Sequence, residues 1–279
     1  MTHGITSRKT LLLAMMAVLC TMPAFAQTDV RLDPEFGARI SAAVDKKIIK
    51  GLHISLEEEA RFDNNFRGFQ RLQTTLGVSY KVNNYFKCGV GYVLIAPYSS
   101  STSSFGNLRH RLYADATGSM KFGNFSIALK ERFQWTYRMG DFNEYQNPRN
   151  AFTLKSRLTF KYKFRKVTPF AYFEIRNVFN APVIHANFDG SSYLTDSGSE
   201  KGEPGWFLDG FKGVYVNRYR GATGIDVKVD SKNELSFYFM GDYLYDKVVD
   251  ANAEGTKLKS YTTEKGFFGT IGAEYTFSF

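Results

Sequence analysis

Cysteine is nearly absent from this chain, with Cys20 and Cys88 the only two in 279 residues. Histidine is almost as scarce, at 4, and proline numbers 7. Past residue 26 there is no apolar run of the roughly 20 residues that a membrane-spanning helix needs. Each scarcity closes off a class. Two cysteines cannot build a disulfide scaffold, and histidines as dispersed as His53, His110 and His185 do not make a zinc set. No glycine-rich phosphate loop is present; Gly221, Gly224, Gly269 and Gly272 fall inside strand-like stretches, where glycine relieves crowding in a curved wall. The sequence implies no metal and no cofactor.

Acidic residues are also the minority, 27 against 36 basic ones, for a net charge of +9. Arg8 and Lys9 precede the apolar stretch Leu11 to Cys20, and Ala24 and Ala26 supply the small residues that a signal peptidase reads. Residues 1–26 therefore read as a cleaved secretory signal peptide and residues 27–279 as a single domain. A lipid anchor on Cys20 would need a small residue where Leu19 stands. An exported basic chain meets little nucleic acid. Anionic solutes and lipopolysaccharide phosphates are the partners its charge suits.

What the chain has in quantity is aromatic residues, 26 Phe and 17 Tyr among them, spaced with period two. In the last fifteen residues, Phe267, Gly269, Ile271, Ala273, Tyr275, Phe277 and Phe279 share one face. Thr270, Gly272, Glu274, Thr276 and Ser278 share the other. Leu72 to Val82 alternates in the same way and ends at the turn Asn83-Asn84. Phe125 to Arg138 sets Phe125, Ile127, Leu129, Phe133, Trp135 and Tyr137 against Ser126, Ala128, Lys130, Arg132, Gln134 and Arg138, with Trp135 and Tyr137 as interface anchors. Strands of about a dozen residues with one oily and one wet face predict an antiparallel transmembrane β-barrel of the outer-membrane type. A soluble β-sandwich would use shorter strands and fewer outward aromatics. Eleven strands can be counted; an even number is expected when both ends lie in the periplasm, so the prediction is ten or twelve, with twelve favoured. The polar stretches Asn180 to Gly210 and Asp246 to Glu264 read as long extracellular loops.

Placing the strands places the charges. Glu57, Glu59, Arg61, Arg71, Arg109, Arg111, Asp115, Lys130, Arg132, Lys155, Arg157, Glu174, Arg176, Arg218, Arg220, Asp242 and Glu274 all fall on the inward phase. They would form either a basic lumen that concentrates small anions or an ion-paired plug, in which Glu59/Arg61 and Glu174/Arg176 pair two residues apart. Glu58 and Glu131 fall on the oily phase, where a bulge or a rim position would accommodate them. The terminal Tyr275, Phe277 and Phe279 have the form of the signal that barrel-assembly machinery reads.

Leu56-Glu-Glu-Glu-Ala-Arg-Phe62, Leu129-Lys-Glu-Arg-Phe133 and Tyr172-Phe-Glu-Ile-Arg-Asn177, closed by Tyr275-Thr-Phe-Ser-Phe279, resemble a Gram-negative outer-membrane β-barrel family known as domain of unknown function family 2490. The resemblance spans nearly all of residues 27–279. It implies the outer membrane of a Gram-negative bacterium and contact with its lipids, and it transfers no catalytic residue.

The leading function is therefore a narrow pore or structural barrel favouring small anions. Two alternatives stay open. One is a lipid hydrolase at the outer rim, where His110 lies on the oily phase near Ser99 to Ser104 and where His185, Asp189, Ser191 and Ser192 cluster in a loop. The other is a surface-binding barrel that uses its two long loops. His53, inward beside Ser55 and Glu57, reads as a hydrogen-bonding lumen residue.

Overall fold

The computed structural model describes residues 28–63, 65–187, 205–252 and 258–279. Among them the regular structure is all strand: β1 (Thr28–Arg31), β2 (Glu35–Ile49), β3 (Leu52–Asp63), β4 (Gly68–Lys81), β5 (Phe86–Ser99), β6 (Ser104–Phe105), β7 (Arg109–Phe122), β8 (Phe125–Arg138), β9 (Asn150–Tyr162), β10 (Val167–Asn187), β11 (Gly205–Lys228), β12 (Asn233–Ala251) and β13 (Leu258–Ser278). Consecutive strands pair as antiparallel neighbours from β2 round to β13, with β6 set aside as a short arm on β5. β13 then pairs back onto β2. The sheet is a closed barrel, so no wall strand is left with an open edge.

Local chemistry sets the narrow turns at one end. Gly51, at φ +87°, takes a left-handed conformation where an added Cβ would lie 2.9 Å from the Lys81 carbonyl oxygen. Gly123, at φ +60°, turns β7 into β8. Asn83 Oδ1 accepts from the Tyr85 and Phe86 amides, each at 2.8 Å. Asp230 does the same for Lys232 at 2.8 Å and Asn233 at 2.9 Å. All of these connections lie at the end where Phe279 sits; the longer ones lie at the other.

The strand count corrects the sequence-based expectation. The wall has eleven strands, not ten or twelve, and the sheet is mixed rather than wholly antiparallel. Hairpin-connected strands alternate in direction, so the first and last of an odd number must run the same way. Phe268 to Ser278 accordingly pairs in parallel with Glu35 to Asp45. β1 prolongs this seam, pairing in parallel with Thr262 to Lys265. β2 thus starts at the long-loop end, while Phe279 finishes at the turn end, held by Phe279 N–H to Asp45 O and Lys47 N–H to Phe279 O.

The two long polar stretches are also shorter than expected. β10 continues to Asn187 and β11 begins at Gly205, while β12 reaches Ala251 and β13 begins at Leu258. These extensions pack a small apolar cluster of Leu208, Val249 and Ala251 against Ile184, Phe211 and Tyr261. Polar sequence hid them because strands beyond the main wall need no alternating face. Asp189, Ser191 and Ser192 lie outside the described residues.

Outward faces are apolar on every wall strand. Ile40, Leu56, Leu76, Val90, Leu112 and Leu129 are examples on successive strands, and Phe173, Phe239 and Ile271 continue the belt. Glu58 and Glu131 sit on this outward side without any register shift, so a bulge does not explain them. Glu131 instead accepts a hydrogen bond from Ser156 on the adjacent strand at 2.6 Å.

The Asp230 turn supplies a pH test. Hydrogen bonds from the Lys232 and Asn233 amides and the Asn233 side chain hold its carboxyl below the usual carboxylate range. Its stabilisation is complete above the unfolded carboxylate pKa of about 4 and is lost as pH falls through the lower folded value. Asp230→Ala should therefore lower the urea midpoint of the folded barrel at pH 7, and the gap to wild type should close as pH falls below about 4. A gap that is constant with pH would show that the charge of Asp230 plays no part.

Candidate functional site

The barrel interior carries a layer of paired charges at its waist and a cation-rich space toward the long loops. At the waist carboxylates are placed across from cations, while nearer the turns Glu57 faces Ala43 and Thr75, and Glu274 faces Ser41 and Ser236. Four adjacent strands bring Arg157, Glu174, Arg220 and Asp242 into one hydrogen-bonded row of alternating sign. Arg157 Nη2 lies 2.6 Å from Glu174 Oε2, and Arg220 Nη1 lies 3.4 Å from Glu174 Oε1. Arg220 also donates two parallel bonds to Asp242, at 2.6 and 2.9 Å, the bidentate geometry that a guanidinium favours. Glu174, Arg220 and Asp242 are all buried. Each partner offsets part of the cost of burying the other.

The same pairing repeats around the waist. Arg132 donates to Asp115 at 2.6 and 3.0 Å, Lys130 reaches it at 3.3 Å, and Arg61 Nε donates to Glu59 at 2.5 Å. Lower down, Asp226 accepts from Lys161 at 2.7 Å and from Ser236 at 2.9 Å. Aromatic rings fill the space that remains. Arg132 stacks 4.1 Å from the Tyr113 ring centroid and Arg157 4.3 Å from that of Tyr172. Tyr113 lies over Gly91, where an added Cβ would come within 2.5 Å of the ring; Tyr238 covers Gly272 in the same way. Bare backbone on one strand makes room for a ring from the next.

Above this layer the lumen opens into a cavity of about 540 Å³ at the long-loop end. On β3, β7, β9 and β10 its lining stops at one level, while on β11 and β12 it reaches Arg220 and Asp242 of the paired row. It includes Arg61 but not Glu59, Arg111 but not Tyr113, Lys155 but not Arg157, and Arg176 but not Glu174. The paired layer is its floor. Eleven lysines and arginines line it, against the four carboxylates Glu35, Asp63, Asp242 and Asp246. A separate void of about 70 Å³ lies among Lys130, Arg132, Lys155, Arg157 and Glu174.

The chain's family can be read directly. Residues 36–190 match the family model described as Protein of unknown function (DUF2490). The chain belongs to that family. No curated protein matches it. In this DUF2490 member the matched span runs from β2 to just past β10, so it takes in the cation-rich strands β7 to β9 and the Glu174 side of the paired row.

The structure places the charges singled out from sequence in distinct surroundings. Glu57, Asp115, Lys130 and Glu274 belong to the waist and the turn-side half, while Arg71, Arg109, Arg111, Lys155, Arg176 and Arg218 line the cavity. Glu59 and Arg61 do pair. Glu174 and Arg176 do not: Glu174 is taken by Arg157 and Arg220, and Arg176 Nε donates to Asn217 at 2.6 Å. A register shift between Arg176 and Asn177 puts Asn217 in reach of Arg176, while Glu174 meets Arg157 and Arg220 directly across the sheet. Tyr275, Phe277 and Phe279 lie on the outward side at the turn end, with Tyr275 donating to Asn233 and Lys46 Nζ 4.9 Å from the Phe279 ring centroid.

His53 and His110 are committed elsewhere. His53 Nδ1 lies 2.7 Å from Asp45 Oδ1. His110 Nδ1 contacts the Tyr92 hydroxyl at 2.5 Å and its Nε2 faces Met139 Sδ, with no serine partner among the described residues. His185 lies in the backbone ladder of β10 opposite Phe207. Sequence phase alone passed over Arg39, which faces Arg61 in register, and Tyr215, which donates to Asp246 at 2.5 Å. The alternation of Arg39 with Ser41 was the available signal, weakened by Ala38, Ala42 and Ala43 around it.

Arg220 gives the sharpest stability test. Arg220→Met leaves Asp242 without its bidentate partner and Glu174 short of one, and should cost about 3–5 kcal/mol in the unfolding free energy. Adding Asp242→Leu should recover a large part of that loss. A single variant as stable as wild type would show that the row is not held by this pair.

Proposed function

We propose that this chain is an outer-membrane β-barrel of a Gram-negative bacterium whose lumen admits small anionic solutes from the long-loop end. The observation that carries the reading is the outward apolar belt on all eleven wall strands around a charged interior. In water such a belt would be a large exposed apolar surface. In a bilayer it is the matching surface, and a closed sheet is one of the two backbone forms that lipid tolerates.

The dimensions agree. Thirteen strand residues at about 3.3 Å each, tilted by about 45°, rise about 30 Å, the thickness of a bilayer's hydrocarbon core. Aromatics collect toward both ends of the belt. Tyr85, Phe122, Tyr162, Phe164 and Phe279 are exposed at the turn end, and Trp135, Tyr137 and Phe267 toward the other. Girdles of this kind mark the two membrane interfaces. On this reading residues 1–26 direct export, the strand ending at Phe279 is what the barrel-assembly machinery engages, and lipids cover the belt. His110 contacts Tyr92 and faces Met139, and among the described residues no serine is placed beside it as a hydrolase nucleophile would be.

Basic residues in the cavity favour anions by raising the local electrostatic potential. Passage beyond it requires the layer of Glu59, Arg132, Arg157 and Glu174 to part, so conduction should be small. Refolded protein in a planar bilayer under asymmetric salt should show small steps with a reversal potential on the anion side. Arg109→Glu with Arg111→Glu should move that potential toward the cation side. A folded barrel that stays silent across several salt concentrations would overturn the conducting part of this reading.

A further inference from the structure

The cavity is more than a diffuse positive region, because several of its cations are stacked against one another in register. Lys155, Arg176 and Arg218 line it directly opposite one another on three adjacent strands, and Arg132 of its floor continues the row. On the other side of the seam, Arg39, Arg61 and Arg71 form a second such row. Like charges directly opposite each other on a sheet destabilise it. In the first row Arg132 has Asp115 and in the second Arg61 has Glu59, but Arg71 and Lys155 have no ion pair among the described residues, and Arg218 has only a 3.9 Å approach to Asp242. The Nε atoms of Arg71 and Arg218 are buried and have no hydrogen-bond partner among the described residues. Buried polar atoms are nearly always satisfied. Two unsatisfied guanidinium donors in one basic cavity mark the place of an anion.

We infer that this cavity is a specific binding site for a phosphorylated small solute, with Arg71, Arg111, Lys155 and Arg218 supplying the charge. The inference rests on the reading of the lumen as an anion compartment and names what that compartment takes. A phosphate monoester carries close to two negative charges and three acceptor oxygens, which several guanidinium groups can share. Chloride offers neither forked geometry nor multiple charge. The volume of about 540 Å³ falls in the range of small-molecule sites and exceeds what inorganic phosphate fills. Gln134, Thr136 and Thr153 line the same wall and provide neutral hydrogen-bonding groups for hydroxyls. Tyr215 adds a ring face. A solute of sugar-phosphate size fits these terms.

The test is calorimetric titration of the refolded full chain in detergent with glucose 6-phosphate, with inorganic phosphate, glucose and chloride as comparisons. Glucose 6-phosphate should bind saturably, at least tenfold more tightly than inorganic phosphate, and glucose should not bind. Arg71→Gln with Arg218→Gln should weaken binding at least tenfold. Arg71→Lys with Arg218→Lys, which keeps charge but loses the fork, should fall between, and Lys232→Gln at the distant turn should match wild type. Folding of each variant is checked by its heat-modifiable migration on gels. Vesicles containing phosphatidylglycerol should not compete; if they displace the sugar phosphate, the site serves a lipid headgroup and the solute assignment falls. Binding of glucose 6-phosphate no tighter than chloride, or undiminished in the folded Gln double variant, overturns the site. Anion current without saturable phosphate binding would leave the pore reading standing and remove the site. Saturable binding by a silent barrel would do the reverse.

Discussion

Closure between β13 and β2 is the constraint on which the rest of this molecule depends. Either strand alone would present a row of unpaired backbone donors and acceptors. The seam removes both rows at once, and β1 lengthens it beyond β2. Parallel pairing is slightly weaker per residue than antiparallel pairing, so the added length has a physical use. Pro34, which has no N–H to offer, falls in the break between β1 and β2. Leu32 bridges part of that break through its amide to the Lys265 carbonyl at 2.7 Å.

Closing the sheet fixes an interior that cannot be filled with aliphatic side chains without wasting the outward face. Alternation sends every second residue inside, and here those residues are mostly charged. The waist answers with compensation in register: Arg157, Glu174, Arg220 and Asp242 neutralise one another along a single row. One row further toward the long-loop end, the same strands carry Lys155, Arg176 and Arg218 in succession. Two residues of strand therefore separate a self-satisfied layer from one that needs something else. Tyr113 and Tyr238, fitted over Gly91 and Gly272, complete the lower layer without adding charge.

Much of the wall was legible in the sequence because the two-residue period is a direct consequence of strand geometry. The stretch Phe125 to Arg138 alternates with Glu131 as its one break on the oily face, and β8 occupies those residues. Strand number was less legible. Eleven alternating stretches were countable, but the expectation of both ends in one compartment pulled the number to an even value, and nothing in local sequence shows that β2 runs parallel to β13. The phase also fails where register slips. Glu174 and Arg176 are two residues apart on one face, yet the slip after Arg176 gives Arg176 to Asn217, and Glu174 is already held by its in-register neighbours Arg157 and Arg220. Cross-strand partners 17 to 46 residues away cannot be read from spacing within one strand.

The division of the lumen bears on which residues the fold itself requires. Buried ion pairs contribute little net stability but are costly to break singly, so the paired waist constrains the barrel to one arrangement. The cations above it make the opposite contribution. They repel across register, their burial is offset by few carboxylates, and Arg71 and Arg218 each leave a donor unsatisfied among the described residues. Folding alone gives no reason to place such side chains opposite one another on three consecutive strands, when neutral polar residues such as Thr136 and Thr153 line the same wall. Positions where local rules are broken without a local gain are where function is to be sought. Here those positions converge on one cavity, above a floor rigid enough to hold its donors in place.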